Sequence, residues 1–225
     1  AWLDYRSRFA NVYDEANYDQ SLQGFAMRVS HRLLEKDLAP GEHFSRVVEV
    51  GAGTGEHFPY VRHSFDEYIM TDMDADALKV ARQKVGVHHK VAFECRSATE
   101  LDYPSDSVDR LVAVHVLEHL YFPHRVLKEW NRVVKDGGVI SILIPTDPGL
   151  AWRLGRYLGP RRRAIAQGIE YDYVMAREHV NSCTNLMALI RFYFRERKER
   201  WWPFVLPAVD VNLFVAIHAT VRKSP

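Results

Sequence analysis

The stretch Val47-Val48-Glu49-Val50-Gly51-Ala52-Gly53-Thr54-Gly55-Glu56-His57-Phe58 decides the fold. An apolar run enters a tight turn with glycine at every second position, and a helix is expected to follow. Glycine permits backbone angles that other residues resist and lets the chain approach a ligand closely. A helix start adds free N–H groups. In an open α/β sheet, ligands lie at the carboxyl ends of the strands. Asp72 closes the next apolar run, Tyr68-Ile69-Met70-Thr71, twenty-one residues after Gly51. An acid at that distance suits a ribose diol. The loop alone fits a plain turn; strand, loop and acid together predict a nucleoside pocket.

Outward from this motif the chain alternates strands and helices. Further strands are expected at Val91–Cys95, Arg110–Val114 and Val139–Ile144. Nearly continuous apolar runs of this kind suit parallel strands covered on both faces. Asp74 is a candidate N-cap for a helix over 75–84. Pro123 opens a second helix with the stripe Val126, Leu127, Trp130, Val133, Val134, and Gly137-Gly138 is expected to end it. Before the motif, Phe25, Val29, Leu33 and Leu34 mark a helix stopped by Pro40-Gly41. After Pro145 no strand signal appears until a helix over 182–194, followed by strands at 197–204 and 212–221 that form a terminal hairpin. The alternation reads as a doubly wound parallel sheet.

The bulk numbers agree with one soluble globular unit of 225 residues, 47% hydrophobic and 26% charged. The net charge of +1 argues against a nucleic-acid coat. Two cysteines, Cys95 and Cys183, form neither a disulfide framework nor a zinc site. No metal site is expected. The expected location is the reducing cytoplasm, with no membrane span and no signal-peptide pattern over residues 1–6.

Two nucleoside classes compete for the pocket. A dinucleotide loop asks for glycine where Glu56 stands, and an anion there would repel a pyrophosphate. S-adenosylmethionine (SAM) has no phosphate and carries a sulfonium cation, so an acidic loop suits it better.

With these residues in view, the sequence resembles the class I SAM-dependent methyltransferases, especially the type 11 group. Val48 to Gly55 is similar to that family's first motif, and Tyr68 to Asp74 to its second-strand segment. Asp106 to Val112 with His115 to Leu120 resembles the fourth-strand block. Leu127-Lys128-Glu129 through Val134 to Gly138 resembles the approach to strand five. The resemblance implies an α/β, Rossmann-like, doubly wound seven-stranded sheet, last strand antiparallel, with a helical insertion after strand five. The resemblance covers residues 40–146 closely and the C-terminal strands loosely, and the chain reads as a single domain over 1–225: a helical lid (1–40), a SAM-binding core (41–146), an acceptor-site insertion (147–180) and a C-terminal helix and strand hairpin (181–225).

By the same resemblance, Glu49 and the backbone of Gly51, Ala52 and Gly53 hold the methionine end of SAM. Asp72 takes the ribose and Met73 packs on the adenine. Ser97, beside Ala98, stands where the family has an acid for the adenine amine, and a hydroxyl accepts more weakly there. His115, at the end of strand four, either orients or deprotonates an acceptor or only contacts the cofactor backbone. Glu118 and His119 are expected to cap and pack the next helix, and Tyr13 and Tyr18 to cover the cofactor or simply pack.

The implied reaction is in-line methyl transfer from SAM, with S-adenosylhomocysteine as product, to a small-molecule or glycan or lipid-linked acceptor. Arg153, Arg156, Tyr171, Tyr173, Arg177 and His179 are the candidate acceptor-binding residues. The arginines suit an anionic acceptor. Residues 150–163 also fit peripheral contact with a membrane surface or a solvated basic face. A NAD-dependent Rossmann oxidoreductase and a non-catalytic SAM-binding scaffold are the alternatives.

Overall fold

The structure, a computed structural model, describes residues 22–38 and 40–223. Seven strands, β1 (His43–Val50), β2 (Ser64–Asp72), β3 (Val91–Cys95), β4 (Val108–Val114), β5 (Val134–Pro145), β6 (Arg197–Trp202) and β7 (Phe214–Thr220), form one sheet in the order 3-2-1-4-5-7-6. Strands β1 to β5 pair in parallel, and β7 runs antiparallel to both β5 and β6. The expected seven-stranded sheet with its antiparallel last strand is present. The terminal hairpin is there as β6 and β7, with β7 against β5 and β6 at the edge.

Helices cover both faces. Helix α1 (Leu22–Glu35) lies across β5 and β7, and α2 (Ala75–Val85) covers β2 and β3. On the opposite face lie α3 (Pro123–Val133) and α7 (Cys183–Tyr193). Between β5 and α7 the chain forms α4 (Leu150–Leu158), α5 (Pro160–Ala166) and α6 (Tyr171–Glu178).

Local chemistry accounts for the boundaries. Asp74 Oδ1 accepts from the N–H groups of Asp76 and Ala77, capping α2. Ser182 Oγ accepts from Asn185 N–H and starts α7. The α3 stripe Val126, Leu127, Trp130 and Val133 is fully buried, and each such side chain contributes about 1.5–3 kcal/mol of burial. The Trp130 indole N–H donates to Ala98 O at 3.1 Å, so the largest buried ring also leaves no orphan donor.

Four expectations need correction. No α-helix follows the glycine loop; only a 3-10 turn, Phe58–Tyr60, fits in the short link to β2, and Pro59 removes one of its donors. Val134 opens β5 rather than extending α3. Gly137-Gly138 therefore lies inside β5, where the pairing with β4 shifts between Val108 and Arg110. A side chain at Gly138 would come within 2.9 Å of Asp109 O and Lys135 O, so glycine is needed there for close passage. Finally, the stripe on α1 is displaced: Phe25 is 48% exposed, and the buried face carries Met27, Ser30, His31, Leu34 and Glu35.

That polar face has a counterpart in the sheet. Side chains alternate between the two faces of a strand. Leu111 and Ala113 enter the core under α3, whereas Arg110 and Val112 point toward α1. Ser141 on β5 and His218 on β7 are register partners and join the same layer.

Candidate active site

A cleft of about 510 Å³ opens at the carboxyl ends of β1, β2 and β4. The glycine loop forms its floor. Gly51 and Gly53 have φ of +67° and +52°. A side chain at Gly51 would meet Val116 Cγ2 at 2.5 Å, while one at Gly53 would meet nothing within 4 Å. Gly51 is thus required by packing, and Gly53 turns its open side outward. Asp72 fixes the loop: Oδ2 accepts from Gly53 N–H at 2.8 Å and Oδ1 from Asp74 N–H at 2.9 Å. Each oxygen keeps a lone pair for a further donor.

Glu49 is buried beside the loop, and the Tyr68 hydroxyl donates to its Oε2 at 2.7 Å. Burial raises its pKa, the charge of His57 and the Tyr68 bond working against that rise. Met73 is 72% exposed at the rim, an apolar side chain left open next to Asp72. Ala98 forms part of the wall. Ser97 does not: its hydroxyl pairs with Thr99, and Arg96 lines the cleft in its place. The Arg96 guanidinium is held by Glu94 and Leu101 O and lies 4.6 Å from the Tyr103 ring centre. Glu56 also lines the cleft, but Lys84 pairs with it, so its charge is compensated and repels an anion less than the sequence alone suggests.

His115 sits just past β4 with φ of +56°, a region that costs a residue other than glycine on the order of 1–3 kcal/mol. Ser30 Oγ–H donates to Met27 O at 2.7 Å, so the Ser30 oxygen accepts from His115 Nε2–H at 3.2 Å. On its other side, His115 Nδ1 lies 3.4 Å from Glu118 Oε1. Burial opposes ionisation of Glu118, but the bond from His115 and the charges of His119 and His115 hold its pKa below the usual carboxylate range.

The opposite wall comes from the end of α6. His119 Nδ1–H donates to Glu178 O at 2.8 Å, and His179 Nδ1–H to Asp147 Oδ2 at 2.8 Å. The two rings stand edge to face, 5.0 Å apart. Burial lowers the pKa of His119, with the Glu118 carboxylate opposing the shift. Asn181 pins this wall by donating to Leu117 O and Leu120 O.

Of the residues expected to bind the acceptor, only His179 lines the cleft. Arg156 stands behind it, paired with Asp147 at 3.3 Å and 5.4 Å from the Tyr171 ring centre. Arg153, Tyr173 and Arg177 are exposed outside the cleft, and Arg177 reaches the Tyr173 hydroxyl. Tyr13 and Tyr18 lie outside the described residues. Among the described residues, no three His, Cys, Asp or Glu side chains gather as a metal cluster.

Beneath the floor lies a polar network that the sequence reading missed. Arg110, fully buried, pairs with Glu35, and its Nε donates to Ser141 Oγ at 3.0 Å. His57 Nε2–H donates to Glu35 Oε1 at 3.0 Å, and His57 Nδ1 faces His31 Nδ1 at 3.1 Å. Both His31 and His57 line the cleft. The signal was an arginine leading into the apolar run Leu111–Val114, since a charge buried there must be paired.

Comparison with known proteins accords with this geometry. Residues 48–142 match the family model described as "Methyltransferase domain". Over 116 residues the chain is 36% identical to 2-methyl-6-phytyl-1,4-hydroquinone methyltransferase 1, chloroplastic, of Oryza sativa subsp. japonica, covering 49% of this chain and 35% of that protein. The chain spans between about a third and a half of the length of the curated relatives it matches. A Thermotoga maritima SAM-dependent methyltransferase superposes with a TM-score of 0.64 at 23% identity, covering 97% and 99% of the two chains. N-methyltransferase NodS from Bradyrhizobium japonicum WM9, solved with S-adenosylhomocysteine, superposes with a TM-score of 0.58 at 13% identity, covering 91% and 90%. The motif, the matched domain and the sheet order agree in their likeness to the class I SAM-dependent methyltransferases, a likeness carried in sequence by residues 48–142.

Proposed function

We propose that this chain transfers the methyl group of SAM to a small-molecule nucleophile held between His115, His119 and His179. One observation carries the reading: a single cleft is lined both by the carboxylates of Glu49 and Asp72 and by these three imidazoles. Asp72, fixed by two backbone N–H groups, receives the ribose hydroxyls. Glu49 and the backbone of Gly51 to Gly53 take the methionine end, the open side of Gly53 leaving room for it. Met73 and Ala98 cover the adenine, and Arg96 lies where an adenine-binding acid was expected.

Bound SAM supplies an electrophilic methyl on a sulfonium. The protein's part is to orient the nucleophile and exclude water. His119 and His179 each commit Nδ1–H to an oxygen, leaving Nε2 as the nitrogen able to accept a proton. His119 is the proposed base. His115, held between Ser30 and Glu118, positions the acceptor. Met27, Leu120 and Met175 make the lining partly apolar, which suits a ring or aliphatic body. The rice relative's name includes a hydroquinone, a nucleophile of that kind. An acceptor bound through Arg153 or Arg177 is not supported, because neither reaches the cleft.

Calorimetry with SAM and S-adenosylhomocysteine tests the first half, and labelled-methyl transfer to hydroquinones, amines and sugars tests the second. Absence of heat with both ligands, with Asp72→Ala indistinguishable from the unaltered chain, removes the reading.

A further inference from the structure

Helix α4 is amphipathic in the wrong sense for a soluble protein. Leu150, Leu154 and Leu158 recur every fourth residue, so they share one face, and they are 55%, 53% and 68% exposed. None of its residues is buried. The inward side carries Trp152 and Arg156 instead. The Trp152 ring lies 5.7 Å from that of Phe214, and Arg156 pairs with Asp147. A helix whose aliphatic stripe faces outward needs another apolar phase to cover it.

A second exposed apolar element is tied to this helix. In the loop between β6 and β7, Phe204, Val205 and Leu206 are 58%, 91% and 63% exposed. The same loop caps α4: Asp210 Oδ1 accepts from Leu150 N–H at 3.1 Å, and Asp210 O from Ala151 N–H at 2.8 Å. Gly149 cannot cap with a side chain, and one placed there would strike Val209 O at 2.3 Å. Helix and loop are therefore one unit.

Charge identifies the partner. From Gly149 to Arg163 the sequence holds five arginines and no acid. Asp147 and Asp172 neutralise Arg156 and Arg161, while Arg153 on α4 and Arg162 on α5 are exposed. Exposed leucines flanked by arginines match the boundary between acyl chains and anionic headgroups. No described helix is long and apolar enough to cross a membrane.

We propose that α4 and the β6–β7 loop dock this chain on the surface of an anionic phospholipid bilayer, lying in its interface. Asp147 links the two sites, since it holds both Arg156 of α4 and His179 of the cleft. On the methyl-transfer reading above, a lipid-dissolved acceptor then reaches the imidazoles of the cleft from the bilayer.

The test is co-sedimentation with vesicles of phosphatidylcholine, with and without phosphatidylglycerol, in the absence of SAM and acceptor. Its outcome is therefore independent of whether methyl transfer occurs. The full chain is expected to pellet with the anionic vesicles and to be released by salt. Leu154→Glu with Leu158→Glu should weaken partition by about tenfold per leucine, and Val205→Asp should weaken it independently. Because these side chains are exposed, the melting temperature should not change. Three results overturn the proposal: no pelleting with either vesicle, equal pelleting of the leucine variant, or a solution dimer that the same variant dissolves, which would make a second copy the occupant.

Discussion

The guanidinium of Arg110, on the face of β4 under α1, pairs with the carboxylate of Glu35 at the end of that helix, and neither side chain is more than 1% exposed. Burial alone would keep Glu35 neutral, but the charge of Arg110 and the bond from His57 hold its pKa far below the usual carboxylate range. Such a pair gains little over an apolar substitute, whereas losing one partner strands a buried charge. Arg110→Ala should therefore lower the unfolding free energy by about 3–5 kcal/mol. The double change Arg110→Met with Glu35→Leu should recover most of it. Urea midpoints read both, and a double variant as unstable as the single one contradicts the pairing.

Acid should loosen the same layer before it affects the carboxylate. His63 Nδ1–H donates to Ser64 O, so its Nε2 accepts from Arg110. That tautomer is neutral, and burial together with the Arg110 charge lowers its pKa to about 4. His218, on the sheet face under α1, falls to about 4 for the same two reasons. Between the unfolded value near 6.5 and the folded value, only the unfolded chain binds these protons. Stability is then complete above about pH 6.5 and falls with pH by about 1.4 kcal/mol per unit for each histidine. Glu49 works in the opposite direction, since its raised pKa favours protonation in the folded chain. Melting temperatures across this range in the unaltered chain and in His63→Gln should differ in slope; equal slopes remove His63 from the account.

The two cleft glycines should separate stability from ligand binding. Gly51→Ala adds a carbon 2.5 Å from Val116 as well as left-handed strain, so the fold should suffer. Gly53→Ala adds only the strain, about 1–2 kcal/mol, and its new methyl has open space in front of it. The first variant should lose melting temperature. The second should keep most of it and lose SAM affinity in calorimetry. The reverse ranking would mean that Gly53 does not face the ligand.

The frame was legible because its signals are local. Val48 and Val50 alternate with Val47 and Glu49 into opposite layers, and Asp74 and Ser182 are self-contained caps. What escaped depends on partners distant in sequence. Arg110 is a lone charge before an apolar run until Glu35, 75 residues earlier, is placed over it. The arginines of 150–163 invited an anionic ligand, yet Asp147 and Asp172 take two of them. Glu56 looked like an uncompensated charge until Lys84, on the next helix, closed on it. The missing helix after the glycine loop is a matter of length: the link from Gly51 to His63 is spent on the turn and a 3-10 segment around Pro59.

The cleft imidazoles offer the most direct test of chemistry. His119 Nδ1 is committed to Glu178 O, and burial lowers its pKa below 6.5. If Nε2 removes the acceptor's proton, His119→Ala should cut kcat by about 100-fold or more with little change in KM. The acid limb of the pH–rate profile, which in the unaltered chain should lie below pH 6.5, should vanish with it. Ser30→Ala acts differently: it frees His115 Nε2–H and disturbs orientation alone, so kcat should fall less and the acid limb should remain. An acid limb that survives in His119→Ala and disappears in His179→Ala would transfer the role across the pair of rings. Survival in both would assign the limb to a titrating group other than these two imidazoles.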